Sequence, residues 1–320
     1  MNKKSLSKKV AALLKKIKKY VIIDWYESYE GMDRVMLSGK RVAAIQDISG
    51  LGRCSLTVII PVLSAMSVQV CPVPTAVLSA HTGYDEFVMR DLTDYMKPAL
   101  EHYKKMGTHF DCIYSGFMAS EEQIDHCLDF FRAYPDSLKV VDPVMGDGGK
   151  AYATYTDKLC RKMSDLVTVA DIITPNLTEA AILLGEEFPT KPMLNTQIKS
   201  WLVRLSDKGN RTVVITSAEL ANGGMSTVGF DRENGSFWKV ANDYVPAHYS
   251  GTGDMFASVL IGGILKGDSL PVAINRASAF TELCIKTTYS YQLPWTEGLM
   301  LEGQLSWLTG YQELSDYRKL

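Results

Sequence analysis

One alternation recurs from Arg41 to about residue 220: a short apolar, β-branched run, a turn, then an apolar pattern at helical spacing. RVAAIQDISGLG is the first such run and SLTVIIPVLSAM the first helical answer to it. QVCPVPTAVL, FDCIYSGF, LKVVDPVM, ADIITPN and TVVITS repeat the strand-like half, and residues 85–106, 120–133, 156–170, those from 178, and 195–208 repeat the helical half. Parallel strands need a crossover between them, so this rhythm predicts a doubly wound α/β domain, a mostly parallel sheet with helices on both faces. Residues 222–249 break the rhythm with turn clusters and short alternating runs, which predicts an antiparallel meander before the last helices. At 320 residues the expected division is an extension over 1–38 and a single domain over 39–320.

The extension is distinct in kind. Its first twenty residues carry eight lysines and no acid, with Leu6, Val10, Leu13, Leu14 and Ile17 on one helical face. The apolar stretch is too short and interrupted for a signal peptide or a membrane span. A basic amphipathic helix remains, read either as a solvated appendage or as an arm for an anionic membrane or a partner. Over the whole chain 22% charged residues and a net charge of −2 give no field suited to nucleic acid. Six cysteines without CxxC spacing indicate neither zinc nor a disulfide framework, and read as reduced thiols in a cytoplasmic protein. Cys54 and Cys71, although close to candidate site segments, read chiefly as packing.

In a doubly wound sheet, ligands lie outside the carboxyl ends of the strands, where this chain collects QDISG, SAHTGY, SGF, DPVMGDGG, TPNLTE and TSAE. The GTGD run at 251–254 is followed at once by the buried-helix pattern MFASVLIGGIL. Gly251, Thr252 and Gly253 would leave amides bare at a helix mouth, a place for an anion and most naturally a phosphate. A carboxylate there repels such an anion, so Asp254 makes better sense as a base for an attacking alcohol, with a plain N-terminal cap as the alternative. No P-loop and no full GxGxxG run is present. Asp142 and Asp147 in VDPVMGDGG, with Asn176 and Glu179 in TPNLTEA, are hard oxygen ligands suited to Mg²⁺ held largely through water and phosphates. Each taken singly could instead be a turn or cap residue.

With these residues in view, the chain resembles the vitamin B6 kinases of the ribokinase-like superfamily over residues 41–290. GTGD carries the superfamily, DPVMGDGG, TPNLTEA and VVITSAE the vitamin-kinase branch, and SAHTGY the B6 group. The resemblance implies ATP-dependent phosphorylation of the 5′-hydroxymethyl group of pyridoxamine, pyridoxal or pyridoxine. It makes Asp254 the catalytic base and the backbone of Gly251, Thr252 and Gly253 the anion hole. Asp142, Asp147, Asn176 and Glu179 are implied on the Mg-ATP side, with Asp142 and Glu179 nearest the metal, and Thr216 and Ser217 as nucleotide contacts. The adenine is expected around 241–284, and a homodimer is implied. A monovalent cation such as K⁺ is left open.

On the vitamin side the resemblance implies Thr82 against the pyridine ring, Tyr152 in a flap above it, and Gly83 where the backbone passes close. His81 reads more readily as a hydrogen-bonded structural histidine than as an acid or base. Two positions depart from the common pattern. Asp47 replaces a frequent serine and could accept a bond from the ring nitrogen or 3-hydroxyl, and Phe117 replaces a frequent tyrosine, with core packing as its alternative. Hydroxymethylpyrimidine kinase shares the metal and anion-hole parts but usually lacks HTGY. A B6-binding protein without catalysis is the rival of another class.

Overall fold

The computed structural model describes residues 39–152, 155–209 and 211–320. The basic extension predicted over 1–38 therefore lies outside the described residues, while Lys40–Leu320 form one compact unit. Chain order is β1 (Arg41–Leu51), α1 (Leu56–Ala65), β2 (Gln69–Ala80), β3 (Met89–Asp91), α2 (Thr93–Lys105), β4 (Cys112–Ser115), α3 (Glu121–Ala133) and β5 (Leu138–Val141). A hairpin of β6 (Gly146–Asp147) and β7 (Lys150–Ala151) follows, then α4 (Asp157–Thr168), β8 (Ile172–Ile173), α5 (Leu177–Leu184) and α6 (Asn195–Asp207). The last part holds β9 (Thr212–Leu220), β10 (Gly224–Asp231), β11 (Ser236–Ala241), α7 (Thr252–Leu265), α8 (Leu270–Ser290) and β12 (Tyr317–Lys319).

Ten strands make one sheet in the order β12-β11-β10-β9-β8-β5-β4-β1-β2-β3. The stretch from β2 to β9 is parallel, and both margins are antiparallel. Strand residues feed two cores alternately: Val42 and Ala44 pack with α1, α7 and α8, whereas Ala43 and Ile45 pack with α2 to α6. Side chains of period two buried on both sides are what a sheet clad on both faces requires. No helix among the described residues is long and apolar enough to cross a membrane.

The chain steps from β1 to β2 on one side and then crosses to β4 on the other, so the topological switch lies at β1. Both β1 and β2 run unusually far and share a register irregularity opposite Asp47. One expectation fails here. Residues 85–92 do not join a helix from 85 to 106; α2 starts only at Thr93. The segment before it pairs with the free edge of β2, where Ser79 and Val88 exchange bonds and Asp91 Oδ1 accepts the Thr93 N–H (2.8 Å). Edge pairing satisfies backbone groups that an eight-residue helical extension would have served no better.

Candidate active site

The mouth of α7 has the geometry that GTGD suggests. Gly251 adopts φ 78°, and a Cβ there would sit 2.1 Å from the Arg53 carbonyl oxygen, so only glycine fits this turn. Met255 N–H closes the first helical bond on the Gly251 carbonyl. Among the described residues no acceptor faces the amides of residues 251–254, as at any helix N-terminus without a side-chain cap. Thr252 turns its hydroxyl back to the Tyr249 carbonyl (2.8 Å).

Asp254 is not spent as a cap. Its Oδ2 accepts the Ser55 N–H at 2.7 Å, and its Oδ1 accepts the side-chain amide of Gln46. Burial is the main influence on its carboxyl and, with help from the nearby Asp47 charge, lifts it to about 6 against the pull of those two donors. Asp142, 6% exposed at the exit of β5, is raised above the usual carboxylate range by burial first and by the Asp254 charge second. The Cα of Gly253 faces Asp142, and a Cβ there would come within 3.6 Å of Oδ2. A buried carboxyl, a half-buried one and a row of bare amides thus share one end of the sheet.

Asn176 and Glu179 form a complete capping box on α5: Asn176 Oδ1 accepts the Glu179 N–H (2.9 Å) and Glu179 Oε2 accepts the Asn176 N–H (2.8 Å). The cap alternative is therefore realised, but the pair does more. Glu179 Oε1 also takes the Met145 N–H, Asn176 Nδ2 reaches the Gly146 carbonyl (2.8 Å), and Thr178 Oγ1 takes the Gly149 N–H. The box ties the β6–β7 hairpin to the strand exits. Glu179 is 3% exposed, and burial followed by the Asp142 charge drives its carboxyl well up. Asp147 is more open, bonded to the Gly148 N–H and facing His248 Nε2 at 3.3 Å.

Thr216 and Ser217 occupy a bulge of β9, where the register against β10 shifts and Ser217 takes φ 55°. Ser217 is exposed there, and Thr216 N–H bonds the Pro175 carbonyl beside the capping box. Among the described residues no group of three or more metal-type side chains converges. Such a site fits Mg²⁺ carried by substrate phosphates and one or two carboxylates, with Asp142 and Glu179 as the groups to hand, and does not fit a protein-only cage.

On the other side of Asp254, Asp47 is 5% exposed and accepts hydroxyls on both oxygens, Ser55 Oγ at 2.7 Å and Ser49 Oγ at 3.0 Å. His81 is held as the structural reading expects: Gly83 N–H donates to Nδ1 (3.0 Å), which puts the ring proton on Nε2, 2.8 Å from the Thr296 carbonyl. A Cβ on Gly83 would overlap the Trp295 ring at 2.5 Å. Thr82 is exposed beside it. Tyr152 is 42% exposed just after β7, and Phe117 packs edge-on against Tyr155 (6.1 Å) at the margin of the core, the packing alternative weighed for it. Cys54, between Asp47 and Asp254 in influence, is a buried thiol pushed up to about 12, which is packing chemistry.

Three parts of the site carry no local sequence signal. Gln46 and Ser55 hold Asp254 across 208 and 199 residues of chain. The segment Trp295–Glu297 closes on His81, with Tyr84 stacked edge-on against that ring at 5.0 Å. Only the position of Gln46 next to Asp47 in a strand-exit motif hints at its place.

A doubly wound sheet with a helix mouth and a carboxylate at its switch point is the layout of the ribokinase-like small-molecule kinases. The chain belongs to the phosphomethylpyrimidine kinase family, whose profile matches residues 60–297. A Bacteroides thetaiotaomicron protein described as a candidate phosphomethylpyrimidine kinase, crystallised with pyridoxal, is 43% identical with a TM-score of 0.84, over 88% of this chain and 100% of that one. Pyridoxal kinase from Lactobacillus plantarum is 28% identical with a TM-score of 0.77, over 84% and 96% of the two chains. Pyridoxal kinase from Sus scrofa is 28% identical over 74% of this chain and 79% of its own.

Proposed function

We propose that the protein phosphorylates the 5′-hydroxymethyl group of pyridoxal, pyridoxamine or pyridoxine with ATP. The observation that carries this reading is Asp254, a carboxylate at the mouth of α7 beside bare amides and within the field of Asp142. The alcohol oxygen attacks the γ-phosphorus in line, its proton passes to an Asp254 oxygen, and the bond to the β-phosphate oxygen breaks to release ADP. Amides 251–254 receive the charge that grows on the transferring group. Mg²⁺, when bound with the phosphates near Asp142 and Glu179, neutralises charge on them. Asn176 keeps Glu179 and the β6–β7 hairpin in place, and Thr216 and Ser217 face the nucleotide from the β9 bulge.

The ring is assigned to the space bounded by Thr82, His81 and Gly83 on one side and Tyr152 and Phe117 on the other. The fixed Nε2–H tautomer of His81 makes it a support for this wall and not a proton shuttle. Pyridoxal in the Bacteroides thetaiotaomicron relative supports a B6 vitamer over a pyrimidine. The family profile keeps hydroxymethylpyrimidine as the second reading. A coupled ADP-release screen over pyridoxal, pyridoxamine, pyridoxine and hydroxymethylpyrimidine tests both. Turnover of hydroxymethylpyrimidine alone overturns the B6 reading, and no ADP with any of them leaves a binding protein. A homodimer, checked by light-scattering mass, suits the apolar edge at Val77, Phe87, Val88 and Met89, all at least 40% exposed.

A further inference from the structure

We infer that Asp47 is a positioning residue: it holds Ser55 so that the Ser55 amide fixes one oxygen of Asp254, while Gln46, the residue before it on β1, fixes the other. The inference rests on the kinase reading of Asp254 and adds to it the parts that aim the base.

Both Asp47 oxygens are already engaged, one by Ser49 Oγ and one by Ser55 Oγ, and the residue is 5% exposed. A serine hydroxyl has a single proton and would have to share its acceptor sites with its own donation, whereas a carboxylate accepts both hydroxyls at once. Ser55 itself stands at φ 54° and ψ −138°, backbone that glycine favours and a side-chained residue resists. Its neighbour Arg53 is also left-handed at φ 39°. A strained residue persists where its surroundings hold it on several sides, and Ser55 is held at its hydroxyl by Asp47 and at its amide by Asp254 (2.7 Å).

Gln46 completes the hold. It is 2% exposed, its Nε2 donates to Asp254 Oδ1, and a Cβ on Gly116 would sit 2.0 Å from its Oε1, so the side chain is wedged in one pose. With both oxygens fixed, the lone pair that takes the proton has a set direction. Asp47 and Asp254 repel each other, and an acid tolerated at such a place is one whose bonds do something that a neutral residue would not.

The test uses the full chain with Mg-ATP and pyridoxal, pyridoxamine or hydroxymethylpyrimidine, together with melting curves. Asp47→Ala and Ser55→Ala should each lower kcat about 10- to 100-fold, as a misaimed group does, with KM for the alcohol within about threefold of wild type. The double variant should be no worse than the poorer single one, and Asp47→Asn, which keeps one acceptor oxygen, should recover part of the loss. A substrate-ligand role would instead raise KM about tenfold with kcat kept, and that outcome overturns the inference, as do additive losses. Ser55→Gly should melt above Ser55→Ala, which lacks the same hydroxyl, while turning over more slowly than wild type; melting below Ser55→Ala contradicts the strained hold. If the wild type releases no ADP with any alcohol, the kinase reading has failed, and the melts alone judge the link. Ser55→Ala must then lower the melting temperature in the wild-type background but not in Asp47→Ala, and an equal drop in both refutes it.

Discussion

In the role proposed for it, Asp254 meets two demands that pull apart, since a base must be ionised yet basic enough to take a proton. Burial raises its carboxyl to about 6, whereas the Ser55 and Gln46 donors favour its anion. If Asp254 is the base, its working form is the carboxylate, and activity should rise with pH through about 6 and level off above it. A kcat profile from ADP release checks this, with turnover falling about tenfold per pH unit on the acid side. Asp254→Asn should cost about 10²- to 10⁴-fold in kcat and leave ATP affinity within a few-fold. The sequence marks this aspartate because a glycine-flanked threonine precedes it and a buried helix follows. What it cannot mark is the far end of each bond: Gln46 and Ser55 are ordinary residues until the sheet brings them to α7.

At the scale of the elements, local pattern decides most of what forms. The α3 and α4 helices start at Ser120 and Thr156, whose hydroxyls accept the amides three residues on, and both are readable as caps from sequence. Pattern fails where an edge competes, as at residues 85–92, and where a short segment finds its partner far back in the chain, as with β12 pairing with β11. Likewise Trp295–Glu297 carry no motif, yet they roof His81. Trp295→Ala should therefore raise KM for the alcohol more than it lowers kcat, read by initial rates at saturating ATP. The Gly251 turn gives a sharper case. Gly251→Ala forces a Cβ against the Arg53 carbonyl at φ 78°, so it should destabilise the fold by at least about 1–2 kcal/mol in urea titration and abolish the anion hole with it.

Seen whole, the molecule draws carboxyls from four separate segments, at 47, 142, 179 and 254, to one end of its sheet, and burial raises every one of them. Such a cluster opposes folding whenever it is ionised. The sign follows from proton linkage: a carboxyl whose folded value lies above its unfolded one binds its proton more firmly when folded. Stability from these groups is then fully present below the unfolded values of 3.8 to 4.5 and is lost as pH rises through the folded ones, about 6 for Asp254 and higher for Asp142. The ligand-free protein should thus melt at progressively lower temperature from about pH 4 upward through neutrality. Asp142→Asn removes one charge from the centre of the cluster and should raise the melting temperature at about pH 8 while changing little at about pH 5. On the proposed function the same substitution should slow phosphoryl transfer, since Asp142 is one of the carboxylates that would hold Mg²⁺ with the phosphates. Differential scanning fluorimetry at the two pH values decides it. A variant no more stable than wild type at the higher pH would mean that Asp142 is already relieved by its neighbours without any ligand.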